Sequence, residues 1–446
     1  MASPHRWPGL LVACALAAAA CSSPPGEEAA PLPVTYGPSG VRPGAPAPTV
    51  ELAGPPGDHA ADIIAAHALT DLAEFWADEL EPAAADLAID PYDSTSPTMM
   101  FCSAPAASLG VAAYCPATRT IGWDRTARFP ALIDEFGPLA GVLVLAHEHG
   151  HAISTTRGLP GMHDDPLVWE QQADCFAGTY LGSIMRGHSA RFRMNTSDAL
   201  DAVLIALLTV RDPSPIGQAR HGTGFDRIDA FAIGVHHGAR ACTSITARTI
   251  EQRRAGMPDR YAHALDRGEL PVTEGTARLV ISSVAEFLDW PAPPAVVTRA
   301  ASECLDRALQ PPVEHCPSTN ALELDLPQLQ NAAEARDTAR PHGDFSAFSI
   351  IALHAILAQH ALESPDDLGS ETVQRGLCQA GAWAAATARE DVGRIYLSPG
   401  DLDEALTALL DPALNSLAAA AIPVGITRIA TFGDGFRDGL AACSSR

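Results

Sequence analysis

His147-Glu148-His149-Gly150-His151, followed by Glu170-Gln171-Gln172-Ala173-Asp174, carries more information than any other part of this chain. Two histidines at i and i+4 lie on one face of a helix, so both rings address one ion. The apolar run Leu139 to Ala146, entered through Gly137-Pro138, predicts that helix and predicts that it is buried. A catalytic zinc takes three protein ligands and leaves a fourth position to water, and Glu170 stands where the third is needed. Between the two segments, Gly158, Pro160, Gly161 and Pro166 turn the chain so that a second helix runs back past the first. Asp174, one turn after Glu170, shares its face and is placed to accept a hydrogen bond from a ligand imidazole. Glu148, rotated off the ligand axis, is the expected general base that takes a proton from the water and passes it to a leaving amine. His149 is expected to point away from the ion as a solvated or supporting residue, and His163 to lie on the surface.

The 446 residues, 47% of them hydrophobic, suggest two domains with real cores. All 29 basic residues are arginine, and the net charge of −24 argues against nucleic acid as a partner. Residues 1–21 carry His5 and Arg6, an apolar run from Leu10 to Ala20, and then Cys21, which reads as an export signal with Cys21 as a lipidation site. The alternative is plain secretion with cleavage after Ala20, because Ala18 stands where a lipoprotein signal usually has leucine. On the first reading the protein belongs to the cell envelope and touches membrane only through that anchor. Residues 22–57, rich in Pro, Ala, Gly and Glu, are expected to be a flexible, disordered linker, and no later run is expected to span a membrane.

Ten cysteines occur, eight of them after Cys21, and their spacing repeats. Cys102 and Cys115 are 13 apart and Cys304 and Cys316 are 12 apart; Cys175 and Cys242 are 67 apart and Cys378 and Cys443 are 65 apart. The surroundings repeat as well: Cys175-Phe-Ala-Gly-Thr-Tyr180 echoes Cys378-Gln-Ala-Gly-Ala-Trp383, and Arg227-Ile228 precedes Cys242 as Arg428-Ile429 precedes Cys443. A tandem duplication is the reading, with a first domain over 58–245, a connector over 246–270 and a second copy over 271–446. The spacing suggests one short and one long disulfide in each copy, Cys102 with Cys115, Cys175 with Cys242, Cys304 with Cys316 and Cys378 with Cys443, although spacing alone does not prove connectivity. Alignment on Cys175 and Cys378 sets His354 opposite His151 but Ile350 opposite His147, Ile351 opposite Glu148 and Val373 opposite Glu170. The second copy is therefore expected to be degenerate and to bind no catalytic zinc, with His354 a core residue.

At these residues the chain resembles a family of bacterial neutral zinc metallopeptidases. The matches are Phe101-Cys102, Tyr114-Cys115-Pro116, the His147 to His151 helix, Gln171-Gln172-Ala173-Asp174-Cys175-Phe176-Ala177-Gly178 and His221-Gly222-Thr223, and the likeness covers roughly Asp58 to Ile245. Two features depart from it: His151-Ala152 stands where relatives often have two consecutive histidines, and a degenerate second copy is atypical. The resemblance implies a gluzincin-like, zincin-type fold of the mainly α (α+β) class with a small sheet. Apolar residues at three- and four-residue steps support helices over Ala60–Glu81, Leu167–Arg186, Ser197–Val210 and Phe225–Cys242, with Thr223 as a cap. Ala112–Tyr114 and Thr120–Trp123 fit an edge hairpin lining the cleft. His221, which precedes a helix in the shared segment, is the candidate to stabilise an oxyanion, or else a turn residue packed near the metal; Tyr180 is the weaker candidate. The expected activity is zinc-dependent hydrolysis of peptide or protein substrates; a zinc amidase acting on cell-wall peptide, which uses the same chemistry, is an alternative enzyme class. The rival is a non-catalytic envelope scaffold that keeps a structural zinc.

Overall fold

Gly137 and Pro138 divide two helices without a loop: Gly137, at φ +83°, closes one, and Pro138 occupies the first turn of the next. A computed structural model describes residues 31–50, 52, 60–80, 87–212, 221–261, 268–298, 304, 312–334, 340–363, 369–389 and 395–444. The first part of the chain runs β1 (Gly40–Val41), α1 (Ala60–Glu79), β2 (Ala88–Ile89), β3 (Met100–Phe101), β4 (Ala104–Pro105), β5 (Ala112–Cys115), β6 (Thr120–Trp123), α2 (Arg128–Phe136), α3 (Pro138–Thr156), α4 (Pro166–Met185), β7 (Phe192–Arg193), α5 (Asp198–Thr209), α6 (Gly224–Cys242) and α7 (Ala247–Arg253). The second runs α8 (Glu274–Phe287), β8 (Ala295–Thr298), β9 (Val313–Cys316), β10 (Ala321–Leu324), α9 (Leu326–Ala333), α10 (Asp344–Glu363), α11 (Ser370–Ala388), α12 (Asp401–Leu410), α13 (Ser416–Ala421), α14 (Gly425–Asp438) and α15 (Leu440–Cys443). The protein is thus mainly helical, with small sheets.

One arrangement of elements occurs twice. β2 pairs parallel with β6 and β5 pairs antiparallel with β6, giving the order β2-β6-β5; β8, β10 and β9 repeat both pairings in the order β8-β10-β9. β5 is an edge strand of its sheet, as the hairpin expectation required. After each sheet come a short helix, a long buried helix and a second long helix carrying a cysteine. Cys175 of α4 is bridged to Cys242 at the end of α6, and Cys378 of α11 to Cys443 of α15; Cys102–Cys115 and Cys304–Cys316 are the short bridges. Closing a 67-residue loop restricts the unfolded chain by about 4 kcal/mol. A Cβ on Gly178 would lie 2.0 Å from Phe231 O, and one on Gly381 1.9 Å from Phe432 O, so both helix pairs cross at backbone distance.

The apolar core is continuous through both parts, with Trp76, Phe176, Phe231, Phe345 and Trp383 fully buried. Each buried aromatic or aliphatic side chain of this kind contributes about 1.5–3 kcal/mol. Between the parts, the Phe225 and Phe436 rings lie 6.1 Å apart, Arg437 donates to Asp229 at 3.2 Å, and the buried Arg428 donates to Asp201 at 2.6 Å.

Two expectations need correction. Residues 31–50 are not a loose tether: β1 pairs with β7, Thr35 and Thr196 exchange two backbone-to-hydroxyl hydrogen bonds of 2.9 and 3.0 Å, and Arg42 donates to Phe192 O at 2.7 Å. Proline keeps this segment extended, which is also what a strand added at a surface needs, so composition could not separate the two outcomes. The rest of 22–57, apart from Leu52, lies outside the described residues, as do the export signal and Cys21. Further, α10 is long and apolar enough to cross a membrane; its 20 residues are instead mostly buried inside the protein, as the central helix of the second part.

Beside the junction, Asp401 and Glu404 of α12 are buried, and burial followed by neighbouring carboxylates raises both well above the usual carboxylate range. A carboxyl whose folded pKa is raised stabilises the fold fully below its unfolded pKa, near 4, and that contribution is lost as pH rises through the folded value. Glu404→Gln keeps an acceptor for the Phe345 amide, which donates to Glu404 Oε2 at 3.0 Å, and removes the charge. Its thermal midpoint should exceed the wild type's at pH 8, by about 1 °C for each kcal/mol released in a chain of this size, with a smaller gain at pH 4.5. Scanning calorimetry at the two pH values checks the sign.

Candidate metal centre

α3 is buried on nearly every side, so its polar residues sit in the core and must find partners there. Its neighbour α4 starts cleanly, with the Asp165 carboxylate accepting from Val168 N at 3.2 Å and Pro166 in the first turn. The two helices meet at Gly150, where a Cβ would lie 2.8 Å from Ala173 Cα and 2.9 Å from Ala173 O. Any side chain there would drive α4 away from α3. That contact brings His147, His151 and Glu170 together, with one ligand atom from each lying within 4.8 Å of the others. His147 Nε2 is 3.1 Å from Glu170 Oε2, and His151 Nε2 is 3.7 Å from Glu170 Oε1.

Both histidines of the cluster are supported from outside it. Asp174 Oδ1 lies 2.8 Å from His147 Nδ1, which makes Nδ1 the protonated nitrogen and turns Nε2 toward the cluster. Asp174 is itself gripped by Arg227 of α6 through Nε to Oδ2 at 2.9 Å and Nη2 to Oδ1 at 2.7 Å, a bidentate pair with both side chains buried. The His151 ring stacks on Trp169, with centroids 4.4 Å apart and planes 13° from parallel. His221 lies at the mouth, half-exposed, with Nε2 3.9 Å from Glu170 Oε1 and Nδ1 3.1 Å from Asp212 Oδ1. A cavity of about 210 Å³ opens onto the cluster between β5, α3 and α5, walled by Val111, Leu143, Val144, Leu207 and Val210.

The electrostatics ask for a cation. Burial disfavours a protonated His147, yet Asp174 and then Glu170 outweigh it and raise its pKa to about 10. Burial likewise opposes ionisation of Glu170 and Asp174, but the imidazoles hold the first, and Arg227 with His147 the second, well below the usual carboxylate range. His151 behaves oppositely: burial pushes it down to about 3, so it is a neutral ring with one nitrogen lone pair to offer. Its Nδ1 has no hydrogen-bond partner among the described residues, and 3.7 Å from Nε2 to Glu170 is too long for a hydrogen bond. A buried imidazole in that state is costly unless something accepts its lone pair. Two imidazoles and one carboxylate, converging and leaving a side open to a cavity, fit a divalent metal ion; the donor set alone does not select which.

Glu148 is buried, and burial followed by the charge of Glu170 pushes its pKa up to about 7, against the attraction of His147 and the influence of the Tyr114 backbone in β5.

His147, His151, Glu170, Glu148, Asp174 and His221 are therefore gathered in one place, and Thr223 caps α6 by accepting from Asp226 N while the Asp226 carboxylate accepts from Thr223 N. His163 is exposed, as expected. His149 is not solvated: it is 2% exposed, outside the donor set, and burial pushes its pKa down to about 4. Tyr180 is a core residue whose hydroxyl donates to Asp71 at 2.7 Å. His354 is buried with a pKa pushed down to about 4, and Ile350, Ile351 and Val373 are fully buried around the corresponding part of α10 and α11. Sequence reasoning missed Trp169, Asp212 and the role of Arg227. Only the last had a signal, since an arginine at the same place before each final cysteine had been used to align the copies. Comparisons with models of protein families, with curated proteins and with solved structures gave no match.

Proposed function

We propose that the protein is an exported zinc-dependent peptidase of the zincin type, built as a tandem duplication whose second copy has lost its site. The observation that carries this reading is the convergence of His147, His151 and Glu170, backed by Asp174, beside a buried glutamate whose pKa has been pushed to about 7. His147, His151 and Glu170 would hold the ion. When bound, it supplies a Lewis acid for the scissile carbonyl and acidifies a water in the position left open. Glu148, poised near neutrality, takes the proton of that water and delivers it to the departing amine. The backbone of Tyr114, on the edge strand β5, favours the ionised form of Glu148. An extended substrate lies along that edge, with an apolar side chain in the cavity walled by Leu143, Val144, Leu207 and Val210. His221, steered by Asp212 and placed at the mouth of the cluster, is the donor for the oxyanion.

The four disulfides agree with folding in an oxidising compartment, and lipid attachment at Cys21 would keep the protein on the cell envelope. The repeated element order, the repeated helix crossings at Gly178 and Gly381 and the matching long bridges support the duplication. The zincin identity and the family resemblance rest on the motif and on its helix-to-helix geometry.

Metal analysis of the purified protein tests the reading. The wild type should carry one zinc per chain, and His147→Ala and Glu170→Ala only traces, with casein cleavage lost in step and restored to the wild type after chelation by added zinc. Zinc retained by both variants would place the ion elsewhere. Full zinc without cleavage of casein or wall peptide would favour the scaffold.

A further inference from the structure

We infer that Asp403, on α12 of the second half, is a positioning residue for the metal centre of the first half. Its significance rests on the metal-centre reading above, but its contacts stand without any ion. The first amides of a helix have no partner within the helix and must find one outside. In α6, Thr223 serves Asp226 N, while the two preceding amides cross to the other half: Gly224 N donates to Asp403 Oδ2 and Phe225 N to Asp403 Oδ1, both at 2.8 Å. Asp403 is buried, 3% exposed, and a carboxylate there also complements the positive end of the helix.

What that turn of helix carries gives the contact its meaning. Two residues on, Arg227 grips Asp174 with two hydrogen bonds, and Asp174 fixes the Nδ1 side of His147. Just before the cap, the amides of His221 and Gly222 are tied to Asp212, with the His221 ring turned toward Glu170. Asp403 therefore holds, from outside the first half, the one turn that supports a ligand histidine from behind and places the donor at the mouth.

A mirror contact supplies the control. Aligning Leu207-Leu208 of α5 with Leu409-Leu410 of α12 sets Asp201 at the place of Asp403. Asp201 lies against Gly425 at the start of α14, where a Cβ would meet its Oδ1 at 1.8 Å, so each half sets a carboxylate beside the start of the other's final long helix. The consequences differ. In the second half Leu377 occupies the place of Asp174, and Arg428, freed of that partner, donates to Asp201 instead. Only the Asp403 contact leads to a metal site.

The test uses the full-length protein with Asp403→Asn or Asp201→Asn, labelled with nitrogen-15 in histidine. The His147 ring signals are identified by their loss in His147→Ala. In metal-free protein, Asp403→Asn should shift the His147 Nδ1–H signal and Asp201→Asn should leave it in place. In cobalt(II) titrations, Asp403→Asn should lose about tenfold in affinity, the low end of what disturbing a ligand's supporting shell costs, and Asp201→Asn should match wild type. An unmoved His147 signal in Asp403→Asn, or equal shifts in the two variants, overturns the inference. If Asp403→Asn does not fold, Asp403→Glu replaces it: the charge is kept and displaced by one methylene, and the His147 shift must still appear. A wild type that takes up no cobalt defeats the metal reading alone, because the metal-free comparison still decides the role of Asp403.

Discussion

Glu148→Gln should lower peptide hydrolysis by about 10²–10⁴-fold, the usual worth of a positioned general base, while zinc content stays at the wild-type level. The amide has nearly the same shape as the carboxylate, so neither α3 nor the edge strand needs to move. What it cannot do is accept a proton. The loss should fall on kcat, since the glutamate acts on the reacting water and not on the bound peptide. The residual rate should also lose the pH dependence that an acid-base group near pH 7 gives the wild type: below that value the buried carboxyl is protonated and cannot act as a base, so wild-type activity falls as pH drops through about 7. Zinc analysis and a casein assay from pH 5 to 9 measure both effects. Unchanged turnover in Glu148→Gln would remove the glutamate from the mechanism.

The cluster was legible because its geometry follows from helix periodicity. HExxH on an apolar run reads as a buried helix with two rings on one side, and a breaker-rich link of this length reads as a turn that returns the chain alongside it. The disulfides were legible because the spacing occurs twice. Trp169, by contrast, reaches His151 through the roll of α4 against α3, which is set by Gly150 on Ala173, and no spacing rule encodes roll. Asp403 acts through the first turn of α6 from the other half, and Asp212 through the loop just before it; contacts of this kind leave no periodic trace. The fate of 31–50 was hidden for another reason: extended proline-rich chain has the same composition whether solvated or docked.

Arg227→Met should destabilise the protein by about 3–5 kcal/mol, more than any other single change considered, because it strands the Asp174 carboxylate without its cation in a site where both side chains are buried. His147 would be left to compensate alone, and it faces Glu170 as well. The second half indicates how to separate fold from site. There the position of Asp174 is Leu377, that of His147 is Ile350, and α11 and α14 still cross at Gly381 under the Cys378–Cys443 bridge. Burying leucine in that crossing is therefore compatible with this backbone. Combining Asp174→Leu with Arg227→Met removes both charges and replaces an ion pair by apolar contact, which is often neutral or stabilising. The double variant should recover most of the lost stability, a strongly non-additive outcome, yet bind zinc more weakly because nothing then fixes the tautomer of His147. Denaturant titrations of the four members of this cycle, with zinc affinity measured on each, separate the two quantities. A double variant as unstable as Arg227→Met alone would mean that Arg227 holds α6 through its 2.5 Å bond to Val210 O, and not through Asp174.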